Sequence, residues 1–247
     1  MEYPQLAEQA LQDKVILVTG AGAGIGREAA LYFAAHGAQV ILLGRTVSKL
    51  EAVYDEIEAA GGKQPAIVPL DMKGATKSHY QGLCATIVDQ FGRLDGLLNN
   101  ASILGVLSPF EHIDHDSWHD IMQINVNAQF MLTQALMPAL KAAPHASIVF
   151  TSSGVGRQGR AYWGPYAVSK FATEGLAQVM ADEYENSSIR VNVINPGATR
   201  TNMRARAYPA ENASKLKTPA DIMPVYGYLM SDNSLQVNGQ SLDAQAR

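Results

Sequence analysis

Tyr166 and Lys170 lie four residues apart in the segment GPYAVSKFATEGLAQVM. Side chains at this spacing meet on one face of a helix, although many such pairs are ordinary solvated surface pairs. This segment is rich in Ala and Gly and carries few charges before Asp182, so we expect much of the helix to be covered. An ammonium beside a covered phenol favours the phenolate, which predicts a pKa of Tyr166 below its ordinary value of about 10. Such a phenol can donate or accept a proton near neutral pH.

A glycine-rich segment, TGAGAGIG at 19–26, follows the apolar run KVILV. The run predicts a buried strand, and REAALYFAAHG after it has helical spacing and stops at Gly37. The glycines therefore lie in a strand-to-helix turn, where free N–H groups and the helix N-terminus attract a pyrophosphate. The spacing is GxxxGxG, and no Lys-Ser or Lys-Thr follows, which argues against the phosphate loop of nucleotide hydrolases. For this motif alone, a flexible turn without a ligand stays the alternative.

The elements that position these residues alternate between short apolar runs and longer segments of helical spacing. This pattern predicts an α/β fold, with a doubly wound parallel sheet of about seven strands and helices on both faces. Ligands of such sheets bind beyond the carboxyl ends of the strands. The predicted strands are 14–19, 38–43, 65–70, 94–98, 146–151, 189–194 and 236–240, and the predicted helices include 25–36, 46–60, 74–91, 116–142 and 164–185.

These ordered motifs together resemble the short-chain dehydrogenase/reductase family, over nearly the whole chain from Lys14 to the VNGQ segment. The resemblance implies one Rossmann-type dinucleotide-binding domain spanning residues 1–247. RQGRAYWGPYAVSKFATEG and KTPADIMP are similar to one uncharacterised bacterial oxidoreductase branch of that family. The matching residues are Gly20, Gly24 and Gly26 of TGAGAGIG, Asp71 of LDM, Asn99, Asn100 and Ala101 of LLNNAS, Asn125 of INVNAQF, Ser153 of FTSSGVG, Tyr166 and Lys170 of YAVSK, and Pro196 and Gly197 of INPGATRT.

The resemblance implies a catalytic set of Asn125, Ser153, Tyr166 and Lys170. Ser153 is assigned because it precedes Tyr166 by thirteen residues, the usual gap in the family. By resemblance, Tyr166 donates the proton, Ser153 hydrogen-bonds the developing oxyanion, and Lys170 lowers the tyrosine pKa and holds the nicotinamide ribose. Asn125 helps to anchor a water that links Lys170 to solvent.

The end of the second predicted strand, QVILLGRTVSKL, bears on the choice of cofactor. Enzymes that use NAD usually carry an acidic residue there for the ribose 2′-OH. Here the position is Gly44, and Arg45 follows, which can bind a 2′-phosphate through charge-assisted hydrogen bonds. The sequence therefore predicts NADP(H) over NAD(H), with Thr46 and Ser48 as further donors; the alternative is that Arg45 only faces water.

With Arg45 included, the predicted cofactor-binding residues follow the carboxyl ends of the predicted strands. Thr19, Asn99 and Asn100 have a second interpretation, in which they bridge strand ends and do not touch the cofactor. The predicted set is Gly20, Gly24, Ile25, Gly26, Arg45, Asp71, Asn99, Ala101, Tyr166, Lys170, Pro196, Gly197, Thr199 and Thr201.

We interpret the chain as an oxidoreductase that transfers a hydride between a nicotinamide cofactor and a small carbonyl or alcohol substrate. One alternative is a 3-ketoacyl thioester reductase, which would favour basic surface where this chain has ADEYEN at 181–186. Another is a catalytically silent NADP(H)-binding sensor, although such proteins commonly lack Ser, Tyr or Lys of the catalytic set. NADPH consumption with a panel of carbonyls and an acyl thioester separates these three hypotheses.

The segment 202–218, NMRARAYPAENASKLKT, lacks core periodicity and follows the Pro-Gly turn, where the family carries its substrate lid. A lid and a mobile surface loop are equally compatible with its length. Arg204 and Arg206 meet either an acidic substrate group or water. Arg157 and Arg160 are nearer the pocket mouth, although contacts with neighbouring loops are the alternative; Trp163 and Met203 are expected to supply apolar wall.

Composition limits the remaining function classes. The net charge is −4, so nothing in it suggests nucleic-acid binding, and 47% hydrophobic residues supply a sizeable core. One cysteine, Cys84, permits no internal disulfide, and neither a signal sequence nor a run of 18 apolar residues is present. We therefore expect a cytoplasmic protein with no membrane contact.

A histidine-rich segment contains His112, His115 and His119, but no cysteine or compact set of carboxylates completes a metal site there. We therefore expect no metal and interpret the segment as the start of a helix near Asp116.

We also expect a homodimer or homotetramer built on the helices 116–142 and 164–185. The second of these carries more apolar residues than one sheet contact consumes, and family members pair through these helices. Two departures from the family pattern stand out. Ser102 replaces the last Gly of NNAG, and LDAQAR replaces the usual DGG ending, which favours the dimer.

Overall fold

A single sheet of seven parallel strands forms the centre of the protein, in the order β3-β2-β1-β4-β5-β6-β7. The computed structural model describes residue 3 and residues 5–246. Most strands are continuous apolar runs, such as the fully buried VILVT of β1, as expected where helices cover both faces of a parallel sheet. The strands are β1 (Val15–Thr19), β2 (Gln39–Gly44), β3 (Ala66–Pro69), β4 (Gly96–Asn99), β5 (Ala146–Thr151), β6 (Ile189–Asn195) and β7 (Ser241–Asp243).

Helices cover both faces of the sheet and divide the core into two layers. One layer packs side chains of α3, α5 and α6 against the sheet, and the other packs α1, α2 and α8. Short 3₁₀ turns lie between several of these elements, including Gly154–Gly156 before α6. The helices are α1 (Gly24–Ala35), α2 (Val47–Ala59), α3 (Lys77–Phe91), α4 (His115–Met122), α5 (Ala128–Lys141), α6 (Gly164–Glu183), α7 (Asn202–Ala207) and α8 (Met223–Met230).

The order of the strands reverses at the β1–β4 pair, because β2 and β3 lie on one side of β1 while β5, β6 and β7 follow β4 on the other. Such a switch point leaves a crevice outside the carboxyl ends of the strands, where ligands of this architecture bind. The predicted doubly wound α/β fold of about seven parallel strands is therefore confirmed.

Several predicted boundaries are wrong. The strand predicted at 236–240 lies instead at Ser241–Asp243, because Asn238 uses its side chain, not its backbone, toward β6. Its Oδ1 accepts a hydrogen bond from Val191 N at 2.9 Å, and the next residue, Gly239, has φ +69°. The helix predicted at 116–142 is interrupted by a π-helical turn at Gln123–Asn127. Helix α8 was not predicted at all.

Candidate active site

Two positions of the glycine turn after β1 disfavour any side chain, one by its backbone conformation and one by close neighbours. Gly20 has φ +69°, and a Cβ on Gly26 would lie 2.6 Å from Asn100 Nδ2. Helix α1 begins at Gly24 with no side-chain cap and no acidic residue in its first turn. Its first N–H groups are therefore available to an anion, as a pyrophosphate site requires.

Thr19 fixes the position of this turn against β4. Its Oγ1 donates to Leu98 O at 3.1 Å and accepts from the backbone N–H groups of Asn100 and Ala101, each at 2.9 Å. In addition, Asn100 Nδ2 donates a hydrogen bond to Thr19 O at 3.1 Å. The ends of β1 and β4 are thereby held at a fixed separation, which is the bridging role considered for Thr19 and Asn100.

A cleft of about 380 Å³ opens at the switch point, beside this turn. Ten of the fourteen residues predicted to bind a cofactor line it, and they come from both halves of the sheet. They are Gly20, Gly24, Ile25, Arg45, Asp71, Ala101, Tyr166, Lys170, Pro196 and Thr201.

Four predicted cofactor residues do not line the cleft. Gly26 lies beneath the turn, in contact with the backbone of Gly20. Asn99 is buried and donates through Nδ2 to Thr133 Oγ1 at 2.9 Å, which ties β4 to α5. Thr199 is also buried and donates to Pro196 O at 3.1 Å, while Gly197 lines a different cavity. These four residues shape the walls of the cleft from behind.

Tyr166 and Lys170 meet in the cleft, on the face of α6 that lies against β5. Lys170 is only 1% exposed, and its Nζ donates to Thr151 O at 2.7 Å. The ammonium lies 5.5 Å from the centre of the Tyr166 ring. The pair is therefore buried, and the alternative of a solvated surface pair is wrong.

The predicted direction of the Tyr166 pKa is wrong for the protein without a bound cofactor. Burial raises the pKa of Tyr166 to about 12, with the nearby Ser153 hydroxyl opposing the rise. Burial also lowers the pKa of Lys170 to about 8, and the charge of Glu174 opposes that shift. Desolvation disfavours both charged forms at once, and here it outweighs the attraction of the ammonium for a phenolate.

Ser153 lies at the start of a 3₁₀ turn, and Asn125 lies in the middle of the π-helical turn. Ser153 caps the 3₁₀ turn at Gly154–Gly156 and is half-buried beside the cleft. Asn125 is fully buried in the π-helical turn, a feature that often marks functional sites. Its Oδ1 accepts from Ile103 N at 2.8 Å, and its Nδ2 donates to Ile103 O at 2.9 Å and to Ser169 Oγ at 3.1 Å.

A second cavity, of about 460 Å³, adjoins Ser153 and is hereafter called the Arg160 cavity. One wall comes from the loop between Ser153 and α6, including Arg160 and Trp163, and the other from the segment after β6, including Arg204 and Tyr208. Met203 faces the first cleft instead.

Arg157 makes structural contacts, as one of the two interpretations predicted. Its Nη1 lies 2.5 Å from Asp243 Oδ1, and its Nε donates to Ser241 Oγ at 3.1 Å and lies 3.5 Å from Glu174 Oε1. These contacts fasten the loop after Ser153 to β7 and α6.

Sequence reasoning missed several residues that line the cleft, among them Lys49, and it missed Gln245, which contacts the cleft residue Pro196. Like Arg45, Lys49 lines the cleft, and its position in the first turn of α2, four residues after Arg45, is the signal that could have identified it. Gln245 donates through Nε2 to Pro196 O at 2.7 Å, so the altered C-terminal stretch packs back on the Pro-Gly turn of the same chain. Nothing in its local sequence predicted that contact.

No metal cluster was expected, and none of the described residues form a group of three or more His, Cys, Asp or Glu side chains placed for a metal. The helix start is capped by Asp114, whose Oδ2 accepts from Ser117 N at 2.7 Å, while Asp116 lies in the first turn. Within residue 3 and residues 5–246, no helix combines the length and apolarity that crossing a bilayer requires.

A comparison with protein families matches residues 14–212 to the family described as short chain dehydrogenase. The chain belongs to this family. The uncharacterised oxidoreductase YciK of Escherichia coli strain K12 is 54% identical over 245 residues, which cover 99% of this chain and 96% of that protein. Members of the family are dehydrogenases and reductases, so the protein is an oxidoreductase acting on a CH–OH or C=O group.

Solved structures from the family share the fold in detail. A short chain dehydrogenase from Shigella flexneri 2a str. 301, complexed with NADP, is 55% identical with a TM-score of 0.95, covering 97% of this chain and 100% of that one. A second, from Escherichia coli CFT073 and complexed with NADPH, is 54% identical with the same TM-score and coverage.

Proposed function

We propose that the protein is an NADP(H)-dependent oxidoreductase that interconverts a small carbonyl compound and its alcohol, with Tyr166 as the general acid and base. The observation that carries the proposal is the meeting of two sequence-distant features in one cleft. The buried Tyr166–Lys170 pair and the anion-accepting glycine turn both line the same 380 Å³ space.

The residues of the cleft fit a dinucleotide. The tight turn at Gly20–Gly26 and the uncapped start of α1 are suited to the pyrophosphate. In this proposal Asp71 contacts the adenine end and Lys170 and Tyr166 contact the nicotinamide ribose, which is supported by all three residues lining the cleft. When bound, the nicotinamide supplies or accepts the hydride.

Tyr166 is the proton donor of the carbonyl-reducing direction. Because burial raises its pKa to about 12, the phenol keeps its proton at neutral pH and presents it to a carbonyl oxygen. Ser153 adds a hydroxyl donor for the oxygen as negative charge develops on it. The ammonium of Lys170, fixed by Thr151 O, stabilises the phenolate left after the proton has moved.

The support for NADP(H) is the charge at the end of β2. Arg45 and Lys49 both line the cleft there and are exposed, and neither has a carboxylate within 4.0 Å among the described residues. The usual acidic position is Gly44, so no carboxylate repels a 2′-phosphate at that point. The NADP and NADPH in the two similar solved structures agree with this choice.

The test is NADPH consumption with a panel of aldehydes, ketones and an acyl thioester, followed by absorbance at the nicotinamide band. We expect turnover of at least one aldehyde or ketone. Turnover of the thioester alone would favour a 3-ketoacyl reductase. NADPH binding with no turnover of any compound would instead favour a catalytically silent sensor.

We further propose that residues 1–247 act as one domain and that 202–218 is the lid over the substrate. Helix α7 and the 3₁₀ turn at Ala213–Lys215 give the lid segment its own structure.

We also propose that two or four copies of the protein assemble. This proposal is supported by apolar side chains left exposed on α5 and α6, namely Phe130, Val168, Phe171 and Val179. Light scattering at micromolar concentration tests it, and a stable monomer would contradict it.

A further inference from the structure

The Arg160 cavity lies where the remainder of a substrate would extend once its carbonyl is held by Ser153. Its volume of about 460 Å³ falls within the range of roughly 300–1,000 Å³ typical of small-molecule sites. The groups that line it therefore indicate what the non-reacting part of the substrate is made of.

Counting Glu211, which pairs with Arg204 from outside the cavity, the cations that line this cavity leave one net positive charge. Arg160 and Arg204 line it, and no Asp or Glu is among its described lining residues. Arg204 is neutralised from behind by Glu211, with Nε 2.7 Å from Oε2 and Nη2 2.6 Å from Oε1. Arg160 has no carboxylate within 4.0 Å in the part of the chain that the structure describes.

Aromatic contacts hold the Arg160 guanidinium in place without neutralising it. Its Nη1 donates to Tyr208 OH at 2.8 Å, which leaves its other N–H groups for a ligand. The Tyr208 ring is held in turn by Arg204, whose Cζ lies 3.8 Å from the ring centre. Trp163 lies between Tyr208 and Tyr166, with ring centres 5.8 Å from each. An aromatic wall thus runs from the proton donor to the unpaired cation.

We propose that this cavity is a carboxylate-binding subsite, and that the substrate is a carbonyl or alcohol compound carrying a carboxylate on an apolar or aromatic arm. Arg160 binds the carboxylate, and Trp163 and Tyr208 contact the arm. The inference rests on the proposed function, since it takes Ser153 and Tyr166 as the groups at the reacting oxygen.

The charge of the site favours a carboxylate over a phosphate monoester. One net positive charge matches a monoanion, whereas a phosphate monoester carries about −1.5 to −2 at neutral pH. A planar guanidinium also pairs with a planar carboxylate through two parallel hydrogen bonds.

The test is a binding measurement that does not depend on turnover. The complex of the protein with NADP⁺ is titrated in a calorimeter with 4-acetylbenzoate, its neutral methyl ester and 4-acetylphenyl phosphate. We expect 4-acetylbenzoate to bind at least about tenfold more tightly than the ester, since a charge-assisted pair is lost in the ester. Arg160→Gln should remove this advantage while leaving the affinity for the ester within about twofold.

Arg206→Gln is the control, because Arg206 lies in the segment that carries Arg204 and Tyr208, is exposed and does not line the cavity. It should keep the full preference for 4-acetylbenzoate, and Arg160→Lys should keep part of it. Affinity for NADP⁺, measured on each variant, verifies that the fold is intact.

Equal affinities for the acid and the ester in the parent, or an equal loss of both in Arg160→Gln, would overturn the subsite. Tighter binding of the phosphate than of the carboxylate would overturn the choice of anion. The two proposals fail separately. Arg160-dependent binding of 4-acetylbenzoate without turnover of any carbonyl would support the subsite against the proposed function, whereas turnover without acid preference would do the reverse.

Discussion

On the side of the cleft proposed to hold the cofactor, the chain keeps its shape with backbone atoms and buried side chains, whereas the side proposed to hold the substrate is held by charged and aromatic side chains near the surface. The cofactor wall depends on glycine contacts and on Thr19, which is fully buried between β1 and β4. The substrate wall depends on pairs such as Arg160 with Tyr208 and Arg204 with Glu211.

This difference predicts that the two walls differ in how many substitutions they tolerate. A buried backbone turn has few alternatives, because added atoms collide with neighbouring backbone. Exposed side-chain pairs contribute little to stability and can be replaced without disturbing the sheet. The cofactor wall is thus expected to tolerate few substitutions, and the substrate wall to tolerate more.

The largest expected effect is the loss of turnover in Tyr166→Phe. The ring and its neighbour Lys170 remain, but the phenolic proton is gone, and general acid catalysis of this kind is worth roughly 10² to 10⁴ in rate. Steady-state kinetics measure the turnover, and titration measures the affinity for NADPH, which should be nearly unchanged. Turnover within about threefold of the parent would refute the role of Tyr166.

The second prediction concerns Lys170, which is buried where the two walls meet. Its pKa in the folded protein is about 8, against 10.5 ordinarily. Between these values the unfolded chain binds the proton and the folded protein does not, so this group makes stability rise with pH across that window. The slope is at most about 1.4 kcal/mol per pH unit.

Urea unfolding without cofactor, from pH 8 to pH 10, compares the parent with Lys170→Met. We expect the parent to gain stability relative to the variant as the pH rises, because their other titrating groups are shared. The window stops at pH 10, above which Tyr166, with its raised pKa, lowers stability as the unfolded phenol ionises. Parallel curves for the two proteins would show that Lys170 stays charged in the folded protein.

The third prediction compares one glycine from each wall. A Cβ on Gly26 would lie 2.6 Å from Asn100 Nδ2, whereas a Cβ on Gly159 meets nothing within 4 Å. Gly26→Ala should therefore cost about 1–3 kcal/mol of stability through overpacking and weaken NADPH binding. Gly159→Ala should stay within about 0.5 kcal/mol of the parent with unchanged NADPH affinity. Denaturant midpoints and NADPH titrations measure both variants, and similar losses in the two would contradict the contrast between the walls.

The same contrast explains how much could be predicted from the sequence. The glycine turn, the alternation of strands and helices and the Tyr166–Lys170 pair follow from local patterns, because periodicity and turn chemistry act over a few residues. The partners of Arg160 and Gln245 are more than 45 residues away in the chain, so no local pattern specifies them.

Two further misses have separate physical causes. Asn238 replaced a backbone ladder with side-chain hydrogen bonds, which shifted the last strand toward the C-terminus. The pKa of Tyr166 depends on how completely the pair is buried, and burial is a property of the packed structure rather than of residue spacing.

The last prediction concerns the exposed end of the cofactor wall, where side chains rather than backbone groups would contact the ligand. Arg45 and Lys49 line the cleft at the end of β2, and a 2′-phosphate placed there gains charge-assisted hydrogen bonds that a 2′-OH does not. We expect NADPH to bind at least about tenfold more tightly than NADH, which corresponds to roughly 1.4 kcal/mol.

Arg45→Ala combined with Lys49→Ala should weaken NADPH binding until the two cofactors are nearly equal, while NADH affinity stays within about twofold. Lys77→Ala, which removes an exposed cation outside the cleft, is the matched control and should leave the preference intact. Adding Gly44→Asp to Arg45→Ala should reverse the preference, but a Cβ there lies 3.1 Å from Leu50 Cδ2, so Leu50 must shift to admit the aspartate. Fluorescence titration gives the dissociation constants. Equal affinities for NADPH and NADH in the parent would show that the cations at this end of the wall only face water.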